Sequence, residues 1–239
     1  MEKQTQKNKI TMNLPNKLTI LRILLVPVIV IVYYIGAQFK PFYAGPLFEE
    51  GPLSAFLPNL SKLNFVVMII FAIAAFTDYL DGAIARKRGL VTNFGKFADP
   101  LADKLLVYTV FVLMLEQNYL NKQIGGIETT GNIFEWWMLV IVLAREFIVT
   151  GVRYMAASQK KVIAASNLGK AKTIAQYIAV VVVLMFGAVT VVGGQPVPIH
   201  IALVVISKIS LFVMLILTII SGVDYLVKNI NILFDEKTK

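Results

Sequence analysis

The sequence predicts an all-α integral membrane protein, a bundle of six transmembrane helices, on three observations. Hydrophobic residues fill 57% of its 239 positions and charged residues only 15%, and the mean hydropathy of +0.73 exceeds what a soluble core requires. Apolar runs of about 20 residues, long enough to cross a bilayer as helices, lie at about 18–37, 63–82, 97–117, 133–157, 172–192 and 199–227. Lys and Arg, finally, concentrate in alternate connections between these runs.

The polar opening MEKQTQKNKITMN leads into a full-length first run with no small-residue cleavage site, so the first helix is expected to be retained. Lys3, Lys7, Lys9 and Lys17 precede that run; Arg86, Lys87, Arg88 and Lys96 follow the second; Lys160, Lys161, Lys170 and Lys172 follow the fourth. The opposite connections hold only Lys40, Lys62 and Lys122, and the last of them, VGGQPVPIH, holds none. The positive-inside rule therefore places both termini and the basic loops in the cytoplasm. Juxtamembrane Lys and Arg beside anionic headgroups account for the net charge of +9, and no soluble domain is available to carry nucleic acid, which is not expected as a partner. The polar connections 38–62 and 118–132 are too short to fold alone, so residues 1–239 read as a single membrane domain. Cysteine is absent, which excludes disulfides and thiol catalysis. His200 opens the sixth run and reads as a headgroup-level polar residue.

The second and third runs meet in FTDYLDGAIARKRGLVTNFGKFADPLADKLL, residues 76–106. Asp78 and Asp81 stand at i, i+3 and Asp99 and Asp103 at i, i+4, so each pair occupies one helix face. The short connection makes the two helices antiparallel neighbours, and four carboxylates converging at the cytoplasmic boundary repel one another unless a cation lies between them. Oxygen-only ligation points to a hard cation, Mg²⁺ first, with Mn²⁺ or Ca²⁺ as alternatives and two ions plausible. Gly82 and Ala85 leave room beside the carboxylates, and Arg86 offers a donor fork suited to phosphate. Such a site suits a diphosphate ester undergoing in-line displacement. Intramembrane carboxylates also serve cation transporters, but transport does not require this mixture of small and basic residues.

These residues resemble the signature of the CDP-alcohol phosphotransferases, D-x-x-D-G-x-x-A-R-x8-G-x-x-x-D-x-x-x-D. It stands complete as Asp78, Asp81, Gly82, Ala85, Arg86, Gly95, Asp99 and Asp103, with the gap from Lys87 to Phe94 intact. The resemblance implies a six-helix membrane bundle, commonly homodimeric, that transfers a substituted phosphate from a CDP-linked donor to an alcohol and releases CMP. It further implies that Asp78, Asp81 and Asp99 bind Mg²⁺ or Mn²⁺, that Asp103 joins them or takes the acceptor's proton, and that Gly82, Ala85, Arg86, Thr92 and Gly95 line the donor site.

Two further stretches bear on the acceptor. In NLPNKLTILR, Asn16, Thr19 and Arg22 lie at i, i+3 and i+6. Physically this reads as a capped helix entry with Arg22 snorkelling to the headgroups. The string is also similar to the opening of the phosphatidylglycerophosphate synthase branch, where Asn16 and Thr19 would hold the CDP moiety. In the fourth run Arg145, Val149 and Arg153 share a face, with Glu146 able to meet an arginine only by reaching around the helix. Lys170 and Lys172 open the fifth run, where helix N–H groups favour anions. These cations read either as membrane anchors or as a second phosphate pocket; the latter suits an acceptor that itself carries phosphate. The R-E-x6-R and G-K-x-K-T-x2-Q strings resemble the same branch, which implies CDP-diacylglycerol as donor and sn-glycerol 3-phosphate as acceptor. Inositol phosphate, or phosphatidylglycerol as in cardiolipin synthases, remains an alternative acceptor.

Overall fold

The computed structural model describes residues 13–39, 47, 60–88, 92–124, 133–161, 163, 166–187, 191–192, 195–196 and 198–234. The side chains of Asp81, Ala85, Arg86 and His200 lie outside the described set. Six long helices carry the described chain: α1 Leu14–Gln38, α2 Lys62–Arg88, α3 Asn93–Ile124, α4 Trp136–Ser158, α5 Asn167–Phe186 and α6 Pro198–Lys228. A short α7, Ile230–Phe234, follows α6. Strands β1 Val191–Val192 and β2 Gln195–Pro196 pair antiparallel between α5 and α6.

Each helix covers most of an expected run, with one displacement. The fifth run was expected over 172–192, whereas α5 begins five residues earlier and ends at Phe186. Its start is set by Ser166, whose hydroxyl accepts the Gly169 N–H at 3.0 Å and caps the first turn. Lys172 therefore lies beyond that turn, away from the free N–H groups proposed to favour an anion there. α1 begins at Leu14 with Pro15 in its first turn, where the missing N–H is harmless. Pro27 in α1 and Pro100 in α3 each remove an internal backbone bond.

α1 packs against α2 and α3, while α6 packs against α4 and α5, and α5 joins the two groups by touching α2 and α3. Their shared core holds Phe71, Leu106, Val110, Phe134, Leu211 and Met214, each no more than 1% exposed. Phe111 stacks on Phe134 with ring centroids 4.8 Å apart, tying α3 to the residues that precede α4.

The outer surface is apolar. α1, α5 and the Ile201–Lys228 part of α6 are long and apolar enough to cross a membrane, yet only 22 to 33% of their apolar windows is buried within the protein. At 1.5 Å per residue, α1 spans about 37 Å, more than the ~30 Å hydrocarbon layer. Leu24, Ile31, Ile209, Ile216 and Val223 all project outward, a surface that lipid covers and water would oppose. Within α6, Thr218 and Ser221 return their hydroxyls to the backbone of Met214 and Thr218, which satisfies polar groups without water. The chain is an all-α membrane protein.

Candidate active site

A cavity of about 720 Å³ opens between the two helix groups. Asp78 and Gly82 of α2 and Asp99 and Asp103 of α3 line one part of it. Arg145 and Arg153 of α4 with Lys170 and Lys172 of α5 line another. Two groups of residues far apart in sequence, carboxylates and cations, thus share one chamber. That reach brings anions to cations inside an apolar shell, where each would be costly alone.

Each of these aspartates is held by a side chain from a helix other than its own, two of them from α1. Arg22 of α1 is fully buried, and its guanidinium meets Asp78 at 2.6 Å. This corrects the expectation that Arg22 snorkels to the headgroups: Asp78 provides a counter-charge inside the bundle. Thr19, one turn before it, places Oγ1 2.5 Å from Asp99 Oδ1 and donates to it. The Tyr177 hydroxyl of α5 donates to Asp103, and its ring packs edge-on against Phe71 at 5.6 Å, which fixes the direction of the hydroxyl. Arg22 and Tyr177 were not singled out as site residues by sequence. Arg22 shares a helix face with Thr19, a usable signal; Tyr177 offered none.

Thr92 joins α1 to the start of α3. Its hydroxyl donates to Asn16 Oδ1 at 2.8 Å and accepts the Gly95 N–H at 3.0 Å, capping α3. A Cβ on Gly95 would lie 3.3 Å from Thr92 Oγ1, 3.4 Å from Asn16 Oδ1 and 3.6 Å from Asp99 Oδ2. Glycine at this point lets the first turn of α3 approach α1 and sets Asp99 against Thr19. Asn16, Thr19, Thr92 and Gly95 therefore form a brace beside Asp99 and do not line the cavity itself.

The cationic end is organised by Glu146, which is 8% exposed. Arg145 Nη1 meets it at 2.8 Å, Lys172 binds the same oxygen, and Lys104 of α3 approaches the other oxygen at 3.5 Å. Arg145 does reach around the helix to its neighbour, and Lys172 closes on Glu146 from α5. Arg145 threads between two glycines: added Cβ atoms would sit 3.8 Å from its Nη2 at Gly169 and 3.0 Å from its Cγ at Gly222. Arg153 is steadied by Tyr225 of α6, through a 3.2 Å hydrogen bond from Nε and a ring contact at 5.6 Å. Glu146, Lys104, Gly222 and Tyr225 were outside the sequence-based site, because only packing shows which cations one carboxylate gathers.

The donor chemistry suits a hard cation. Asp78, Asp99 and Asp103 supply oxygens to one wall, and Gly82 leaves that wall open. Among the described residues no three such groups are close enough to enclose one ion; Asp81, on the same face of α2 as Asp78, has its side chain outside that set.

Comparison with known proteins gives the family. The family model described as CDP-alcohol phosphatidyltransferase matches residues 12–220. A Bacillus subtilis protein named CDP-diacylglycerol–glycerol-3-phosphate 3-phosphatidyltransferase is 37% identical over 217 residues, covering 91% of this chain and 95% of its own. A Rickettsia bellii protein of the same name is 35% identical with the same coverage. A Mycobacterium tuberculosis protein named probable phosphatidylglycerophosphate synthase is 32% identical over 90% of this chain and 81% of its own. Matched along most of its length, and with Asp78, Asp99 and Asp103 of the signature lining one cavity, the chain belongs to the CDP-alcohol phosphatidyltransferase family.

Proposed function

We propose that this protein transfers the phosphatidyl group of CDP-diacylglycerol to sn-glycerol 3-phosphate, giving phosphatidylglycerophosphate and CMP. The observation that carries this reading is a cavity lined both by Asp78, Asp99 and Asp103 of α2 and α3 and by the cations Arg145, Arg153, Lys170 and Lys172 of α4 and α5. The names of the B. subtilis and R. bellii relatives support the same donor and acceptor.

In this reading the acceptor's phosphate lies among Arg145, Arg153, Lys170 and Lys172, and its free primary hydroxyl approaches Asp103. The hydroxyl oxygen forms a bond to the lipid-side phosphorus, the bond from that phosphorus to the CMP oxygen breaks, and CMP leaves. The proton released by the hydroxyl passes to the Asp103 carboxylate, which Tyr177 orients. Asp78, Asp81, Asp99 and Asp103 would hold Mg²⁺ or Mn²⁺, two ions in all, which when bound neutralise charge on the phosphate oxygens. Arg22 and Thr19 keep Asp78 and Asp99 turned into the cavity. Gly82, Ala85 and Arg86 border the donor, braced by Asn16, Thr92 and Gly95. All six long helices cross the cell membrane with both termini cytoplasmic, so that lipid tails stay in the bilayer while the polar groups meet at its inner face. The active form is a homodimer.

Purified protein in detergent, given CDP-diacylglycerol and Mg²⁺, is tested with glycerol 3-phosphate, inositol phosphate or phosphatidylglycerol in separate reactions, with CMP release as the readout. Release with glycerol 3-phosphate alone is expected. Release only with another acceptor overturns the acceptor, and no release with any of them overturns the reading.

A further inference from the structure

A buried polar group that bonds nothing in the fold costs about 1–3 kcal/mol unless a visitor to the site bonds it. Two residues that line the cavity, outside the charged machinery, carry such groups. Gln176 of α5 is 3% exposed, and its Nε2 finds no hydrogen-bond partner among the described residues. The hydroxyl of Tyr108 on α3 is likewise buried without one. Both residues line the cavity.

Their neighbours are engaged: Thr173 donates to the Gly169 carbonyl at 3.2 Å, Lys104 to Thr150 at 2.9 Å, and Tyr177 to Asp103. Gln176 stands one helical turn beyond Lys172, at the cationic end, and directly before Tyr177, which holds Asp103 at the reacting end. Tyr108 stands one turn beyond Lys104 and in the last turn that α3 gives to the wall. Along α5, Gln176 thus stands between Lys172, which lines the cationic part of the cavity, and Tyr177, which holds Asp103.

We propose that Gln176 and Tyr108 bind the central hydroxyl of the acceptor and so select a phosphorylated triol over a phosphorylated diol. This rests on the acceptor assigned above. The amide N–H of Gln176 donates to the hydroxyl oxygen, and the Tyr108 phenol serves as the second partner. An acceptor with no central hydroxyl leaves both groups desolvated and unpaired, which is how a polar site rejects a close analogue.

The test measures CMP release by the full-length protein with CDP-diacylglycerol and Mg²⁺. It compares glycerol 3-phosphate with 3-hydroxypropyl phosphate, which keeps the phosphate and primary hydroxyl and lacks the central one. The wild type is expected to favour glycerol 3-phosphate by about tenfold or more in kcat/KM. Gln176→Leu and Tyr108→Phe are each expected to bring that ratio toward one, lowering use of glycerol 3-phosphate while leaving the analogue nearly unchanged. Tyr108→Phe deletes one oxygen for which the described fold supplies no partner, so it carries the test if Gln176→Leu does not fold. A wild type that uses both acceptors equally, or variants that lose both in proportion, overturns the proposal and leaves the transferase reading intact. A wild type that releases no CMP with glycerol 3-phosphate overturns the acceptor assignment, and the proposal with it.

Discussion

Replacing Glu146 with Gln keeps the shape of the side chain and removes the one negative charge that Arg145, Lys172 and Lys104 share. The Glu146 side chain is 10% exposed, that of Lys172 6% and that of Arg145 11%, so the charges left behind are largely out of water. Removing one partner of a buried ion pair costs about 3–5 kcal/mol. Gln retains a carbonyl for Lys172 to donate to, and Lys104 is 33% exposed and can turn toward solvent, which puts the expected loss near the lower bound, about 3 kcal/mol. At about 2–4 °C per kcal/mol for a chain of this size, Tm should fall by about 6–12 °C. A phosphate dianion can take the place of the missing charge. At one fixed concentration, chosen near the wild-type Kd, glycerol 3-phosphate stabilises each protein according to its own Kd, reaching about 2.7 kcal/mol where the concentration is about 100 times Kd; the variant, binding the dianion more tightly, should close part of the gap and gain more in Tm than the wild type. Thermal unfolding of the detergent-solubilised protein, with and without glycerol 3-phosphate, reads both effects. A variant that melts within about 1 °C of the wild type and responds equally to the ligand would refute the idea that Glu146 holds these cations for an anionic guest.

Three other outcomes are expected. Asp103→Asn should lower kcat by about 10²–10⁴ with Tm nearly unchanged, measured by CMP release beside thermal unfolding. Thr19→Val deletes the donor to Asp99 with little change in volume and should raise the Mg²⁺ concentration needed for half-maximal activity by about 10–100-fold; a chelator should abolish CMP release from the wild type and Mg²⁺ restore it. Gly222→Ala places a Cβ 3.0 Å from Arg145 Cγ and should raise the KM for glycerol 3-phosphate by about tenfold, equivalent to ~1.4 kcal/mol of overpacking, while the KM for CDP-diacylglycerol stays unchanged.

Period and composition determined much of this protein. Apolar runs of bilayer length favour helices, because a backbone without water must bond within its own segment; each of the six runs overlaps a long helix, and three of those helices are long and apolar enough to cross a membrane. The ends of those helices were less legible: Ser166 ends the connection before α5 through a single cap, and Val191 and Val192, inside the expected fifth run, pair with Gln195 and Pro196 as strands. The aspartates and their shared faces followed from spacing alone, since i, i+3 and i, i+4 are properties of any helix. The partners of those aspartates did not. Arg22 looked like a surface anchor until α1 was packed against α2, and Tyr177 is one aromatic residue among many until α5 meets α3. Glu146 gathers cations from three helices, and Gly222 matters because Arg145 passes over it. Local periodicity fixes which face of a helix a residue occupies; only the packing of one helix on another fixes what that face meets, and the site is made of those meetings.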